Sequence, residues 1–171
     1  MNRRYALALS LAAVGLASLQ SAANADNRLL KDQIAGTWML VSAETTNKDG
    51  SKFQSFGPQP KGMVIFDANG RYVQTLMASA LPKFASGNRM KGTPEENQAV
   101  VQGSIAYYGT WSVDEGSKTV TQRVDATTYA LHASTDYKRP ITTLTADELV
   151  FTNPASSAGG GATVLSFKRV K

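Results

Sequence analysis

Few side chains in this chain of 171 residues have the chemistry to act on a small molecule, and one of them is singular. His132, in the run "TTYALHAST", is the only histidine. An imidazole titrates near neutral pH and serves as a general acid or base where a cavity presents it to a substrate. The plainer role is that of a loop or core histidine. Arg139 alternates with Tyr137 and Ile141, on a face that otherwise looks inward. An unpaired internal charge is very costly, so an inward Arg139 requires a partner. Glu44 would supply one within the protein, and an anionic group on a ligand would supply one from outside.

Other combinations fail on spacing. Asp67-Ala68-Asn69-Gly70 has the look of a calcium loop but lacks the ligand spacing and the downstream glutamate. Glu95-Glu96 is explained by helix capping. Gly159-Gly160-Gly161 is not followed by Lys-Ser/Thr, so it is no phosphate loop. One histidine of unknown surroundings supports no Ser-His-Asp triad, and without a second histidine there is no histidine-rich metal site. No metal and no cofactor are expected.

The elements that must position His132 and Arg139 are mostly short β-prone runs separated by turns. Strands are predicted at Trp38 to Thr46, Met63 to Asp67, Arg71 to Met77, Ile105 to Val113, Thr119 to Ala126, Tyr137 to Thr145, Leu149 to Thr152 and Thr163 to Arg169. Ala68-Asn69-Gly70 marks a hairpin, because Asn-Gly tolerates positive φ. "NRLLKDQI" predicts a turn or two of helix. "GTPEENQAVVQG" predicts a short helix joining two strands, with Thr93 as N-cap, Pro94 first and Glu96 at the capping-box position. A long polar loop, Ala78 to Lys91, precedes it.

Period-two alternation sets the faces. Ile105, Tyr107, Trp111 and Val113 share one side of their strand, Val120, Gln122 and Val124 one side of the next, and Leu165, Phe167 and Arg169 one side of the last. Each strand keeps one wetter face, so the sheet has a single core side and closes as a barrel or packs as a sandwich. An outer-membrane barrel would show the reverse, an apolar outside and a polar lumen.

The chain contains no cysteine. Disulfides, thiolate zinc sites and a cysteine nucleophile are excluded, and the fold must rest on packing alone. Asn2-Arg3-Arg4, the apolar run Ala6 to Leu19 and Ala23-Asn24-Ala25 form the pattern of a secretory signal peptide with cleavage after Ala25. The apolar run is shorter than the ~20 residues of a membrane-spanning helix. Residues 26–171 then form one domain, free of an integral membrane span and either periplasmic or secreted. Loss of Arg3 and Arg4 lowers the formal charge from +5 to +3. The remaining cations are scattered without a basic stripe, which argues against nucleic acid as a partner.

The order of several runs carries a resemblance. "GTWMLVSAE", "GMVIFDANGRYVQTLM", "LPKFASGNRMKGTPEE", "AYYGTWSVDE", "STDYKRPITTLTADELVFTNP" and "LSFKRVK" follow one another as in the bacterial lipocalin-like domain family, and the likeness extends from about Leu30 to Lys171. The resemblance implies an all-β, calycin-type antiparallel barrel of roughly 8–10 strands enclosing a cavity, with one short helix in a strand crossover. It also implies a barrel floor in which Gly36 opens the first strand and Trp38 lies beneath Arg169 of the last. The second Gly-Thr-Trp lacks those companions, so Trp111 reads as a wall residue and the repeated tripeptide as coincidence. Fold alone does not fix chemistry. The expectation is an exported barrel that binds a small, largely apolar or amphipathic molecule. Tyr107, Trp111, Tyr129 and Phe84 would line its cavity, with Arg139 or His132 at the ligand's polar end. The alternative is a barrel-enclosed isomerase- or cyclase-type enzyme acting on a small metabolite, with His132 as the candidate catalytic group.

Overall fold

The computed structural model describes residues 29–159 and 161–171. The leader and its cleavage point lie outside the described residues. A short helix, α1 (Leu30–Ile34), leads into β1 (Gly36–Thr46), followed by β2 (Lys52–Gln54), β3 (Lys61–Phe66) and β4 (Arg71–Met77). Helix α2 (Pro94–Gly103) joins β4 to β5 (Ser104–Asp114), and β6 (Thr119–Thr127), β7 (Asp136–Leu144), β8 (Glu148–Asn153) and β9 (Thr163–Arg169) complete the chain.

All strand pairs are antiparallel, each long strand pairing with its sequence neighbour from β3 to β9. β1 pairs with β3 along its first half and with β9 along most of its length, and this second pairing closes the sheet. Eight long strands thus form the barrel, which removes the free edges an open sheet would leave. The ninth, β2, rides on the far half of β1 through Glu44, Thr45 and Thr46. Its three residues are exposed, so no alternation betrays it.

The inward faces follow the alternation. Trp38, Val64, Phe66, Val120, Val124, Leu149, Phe151 and Phe167 pack the centre. In β5 the inward set is Tyr107, Gly109 and Trp111, and a bulge opposite β6 falls between Tyr108 and Gly109. The α2 capping box forms in full: Thr93 accepts from the Glu96 N–H while the Glu96 carboxylate accepts from the Thr93 N–H at 2.8 Å. Glu96 also accepts from the Ala85 N–H, which ties the preceding loop to the helix. The β3–β4 turn uses positive φ only at Gly70, not at Asn69, and the Asp67 side chain accepts from the Asn69 N–H to stiffen it.

Candidate functional site

The two ends of the barrel are built differently. At one end Arg169 lies over Trp38, its guanidinium carbon 3.9 Å from the indole centre. The same guanidinium donates to the carbonyls of Ala146, Ala35 and Gln33. The Trp38 N–H donates to Ile34 O at 2.8 Å, so α1 is drawn across this end. The Glu115 carboxylate in the β5–β6 turn accepts from the Leu30 and Lys31 N–H groups and holds the helix from its other side.

Trp111 belongs to this closed end too. Its N–H donates to Asp67 O at 2.8 Å and its ring lies 4.9 Å from that of Phe66. It does not reach the cavity at the opposite end, which corrects its expected role as a pocket wall. Two further expectations are corrected by position. Phe84 lies in the loop before α2 and packs close to Gly92, outside the cavity. Tyr129 sits behind His132, with ring centres 4.6 Å apart, and does not line the cavity itself.

The open end is framed by the loops after β2, β6 and β8. Between them lies a cavity with about 50 Å³ open to the centres of water-sized molecules. By that measure one water needs roughly 10–15 Å³, so the space holds a few waters or one compact chemical group. Its wall is mixed: Phe56, Leu76, Ile105 and Leu165 are apolar, while Tyr107, His132, Tyr137 and Arg139 are polar. Ser55 and Thr163 add hydroxyls at the mouth, both bonded to Thr45 at 2.5 and 2.6 Å. A broader, shallow hollow lies on the outside of β3 to β5, around Ile65, Val73 and Tyr108. It is an open depression, and Arg71, the cation at its rim, is paired with Asp125 at 2.9 Å.

Arg139 is the centre of the interior polar network and is only 2% exposed. Its Nε donates to Gln122 Oε1 at 2.5 Å, and Nη2 donates to the Tyr107 hydroxyl at 3.3 Å. Gln122 Nε2 donates in turn to Gln74 Oε1 at 3.1 Å. The guanidinium carbon also lies 4.7 Å from the Tyr137 ring centre and 5.6 Å from that of Phe151. Glu44 is not its partner. That carboxylate faces outward and pairs with Lys52 at 2.7 Å, because a bulge between Leu40 and Ser42 shifts the inward set of β1 from Trp38 and Leu40 to Ala43 and Thr45.

Burial shifts the titrating groups around this cation. It pushes the Tyr107 hydroxyl up and outweighs the opposing pull of Arg139. Tyr72 is raised in the same way, and Tyr137 is raised to about 12. All three stay neutral phenols at physiological pH and none balances the guanidinium charge. His132 is held below its ordinary value, chiefly by burial and then by the Arg139 charge. Its ring meets Tyr129 and Tyr137 edge-on, at 4.6 and 5.2 Å.

The structure therefore brings together Tyr107, His132 and Arg139 of the residues singled out in the sequence. Gln122, Gln74, Tyr72 and Tyr137 join them without having been singled out for function. The signal was available, because Gln122 sits between Val120 and Val124, and Gln74 between Tyr72 and Leu76, on buried strand faces. A polar residue on an inward face asks for a partner in the way Arg139 did.

Closed antiparallel barrels of about eight strands are either filled by their own side chains or hold one small ligand, and this one is plugged at one end and carries a small cavity at the other. The chain belongs to the family of lipocalin-like domains, which it matches over residues 35–170. Among solved structures it is similar to a lipocalin-like protein from Bacteroides uniformis, with 13% identity and a TM-score of 0.44 over 81% of this chain and 99% of that one. It is also similar to a redesigned β-barrel, with 14% identity and a TM-score of 0.40 over 82% and 94% of the two chains. The comparison with curated proteins found no match.

Proposed function

We propose that this chain is an exported protein that holds a small, largely apolar molecule at the open end of its barrel, with Arg139 and His132 beside the ligand's polar end. The observation that carries the reading is the cavity itself, where Phe56, Leu76, Ile105 and Leu165 meet a buried cation. Its volume suits one end of a ligand, so the remainder would rest in the mouth between the β2–β3 and β8–β9 loops. The signal-peptide pattern of residues 1–25 supports export to a periplasm or beyond.

An isomerase- or cyclase-type use of the same cavity would ask His132 to exchange a proton. Its ring makes edge contacts but no hydrogen bond among the described residues, so nothing orients it for that task. Holding rather than turnover is the reading we adopt.

Native mass spectrometry of protein purified from the exported fraction of its own host tests both parts. The expected spectrum shows a polypeptide beginning at Asp26 and a heavier species that loses a small molecule on collisional activation. A bare polypeptide in every preparation, together with no uptake of an apolar fluorophore, would refute the binding reading.

A further inference from the structure

We propose that the Arg139 cluster is a receptor for a carboxylate, and that the ligand enters the barrel carboxylate first. This rests on the binding reading above and specifies the ligand's polar end.

The argument begins with charge. A guanidinium keeps its proton even when buried, yet no carboxylate faces Arg139. The four ion pairs among the described residues, Lys52–Glu44, Arg71–Asp125, Arg123–Asp136 and Lys171–Asp147, all lie at the surface. No Asp or Glu lines the cavity. Ring contacts with Tyr137 and Phe151 offset part of the cost of burial. They do not supply the counter-charge that a desolvated cation calls for.

The second observation is an excess of donors. Arg139 Nε can only donate, so Gln122 must present Oε1 to it and turn its amide nitrogen toward Gln74. Gln74 then presents its own oxygen and keeps Nε2 without a partner. The orientation of both amides follows from the arginine. Arg139 Nη1 and the Tyr72 and Tyr137 hydroxyls likewise have no hydrogen-bond partner among the described residues. Both amide oxygens in the network are taken, while two nitrogen donors and two hydroxyls remain. Of these four, Arg139 Nη1 and the Tyr137 hydroxyl belong to residues that line the cavity, and since buried polar groups are ordinarily bonded, these two mark a place that something else completes. A neutral acceptor would satisfy the donors but leave the charge; an anion satisfies both.

The third is size and stoichiometry. Arg139, Tyr107 and Tyr137 wall a space suited to one compact group. A single buried cation balances a single negative charge, and the planar fork of a guanidinium matches the two oxygens of a carboxylate. A doubly charged phosphate would leave one charge unbalanced in the same space. The apolar residues nearer the mouth, Phe56 and Ile105 among them, would take the first carbons of the attached chain.

The test compares hexanoate with hexanamide, which has the same length and shape but no charge, by isothermal titration calorimetry on the purified protein. Hexanoate is expected to bind at least about tenfold more tightly, as charge-assisted hydrogen bonds exceed neutral ones. Arg139→Met should erase the preference and Arg139→Lys should reduce it, with circular dichroism confirming the fold. Tyr137→Phe removes only a hydroxyl, which guards against a failure of the arginine variants to fold. It should weaken hexanoate several-fold and hexanamide by less, because the hydroxyl bonds a carboxylate more strongly than an amide oxygen. Equal binding of the two probes, or a preference that survives Arg139→Met, overturns the carboxylate assignment while the binding reading stands. Binding of neither probe also overturns the carboxylate assignment, and the binding reading is then decided separately by the co-purified ligand and the apolar fluorophore.

Discussion

The Arg169 guanidinium stacks 3.9 Å from the centre of the Trp38 indole, and its nitrogens reach carbonyls on both sides of the barrel end. The arginine is a clasp that joins α1, the β7–β8 turn and the last strand. Trp111 sits at the same end with its own N–H bonded to the β3–β4 turn. Both tryptophans are therefore core residues of the closed end. Trp38→Ala and Trp111→Ala should each cost about 3–5 kcal/mol, as deletion of a large buried ring does. Urea denaturation measures the loss. Neither change should alter the ratio of hexanoate to hexanamide affinity, and a changed ratio in Trp111→Ala would return that residue to the binding wall.

The two glycines that precede these tryptophans are required for different reasons. Gly36 has φ +131°, and an added Cβ would stand 2.8 Å from Arg169 Nη1. Gly109 lies in the β5 bulge, where a Cβ would stand 1.8 Å from the Arg123 carbonyl oxygen of β6. A side-chain tip can move aside, but the backbone of a paired strand cannot. Gly36→Ala should cost about 1–3 kcal/mol through backbone strain. Gly109→Ala should cost at least as much through overpacking. Amide hydrogen exchange separates them: the Gly109 variant should lose protection along β5 and β6, and the Gly36 variant around α1 and Arg169.

These positions show how far the sequence could be read. Period-two alternation revealed the eight long strands and their inward faces, because a half-buried strand writes its burial into residue types. The Thr93 capping box was equally plain, being a local pattern with local partners. β2 was invisible, since three exposed residues have no burial to record. At the site, Arg139 announced itself as a charge on an apolar face, and Gln122 and Gln74 carried the same signal more faintly. The partners were not legible. Glu44 was the expected counter-charge, and the bulge between Leu40 and Ser42, which strict alternation does not foresee, turns it outward to Lys52. Phe84, Tyr129 and Trp111 were expected at the cavity from the resemblance and as aromatics on inward faces, and which end of a barrel a residue reaches depends on three-dimensional closure.

Gln122 couples the buried cation to the rest of the interior. It accepts from Arg139 and donates to Gln74, so Gln122→Leu preserves much of the volume while removing both bonds. The loss should be about 1.5–3 kcal/mol, the range for a hydrogen bond to a charged group. The double variant Gln122→Leu/Arg139→Met removes the stranded charge together with its partner. It should be more stable than Gln122→Leu alone, because well-packed apolar residues replace buried ionic groups at little cost. A double variant no more stable than the single would mean that the guanidinium is not the strained member of the network.

His132 should make stability depend on pH in a defined direction. Burial, and then the Arg139 charge, hold its pKa below 6.5 in the folded protein. On acidification the unfolded chain takes up a proton first, near 6.5, while the folded chain still resists it. Wherever the unfolded state binds more protons, stability falls as pH falls. The contribution of His132 is therefore fully present above pH 6.5 and is lost as the pH drops from there toward the lower folded value. His132→Gln removes the imidazole, and its melting temperature should fall less than that of the unaltered protein between pH 7.5 and 5.5. Surface carboxylates titrate in both proteins and cancel in the comparison. Parallel falls in the two melting temperatures would show that the imidazole protonates as freely in the folded barrel as in the unfolded chain. In that case neither the protein around it nor the charge of Arg139 bears on it.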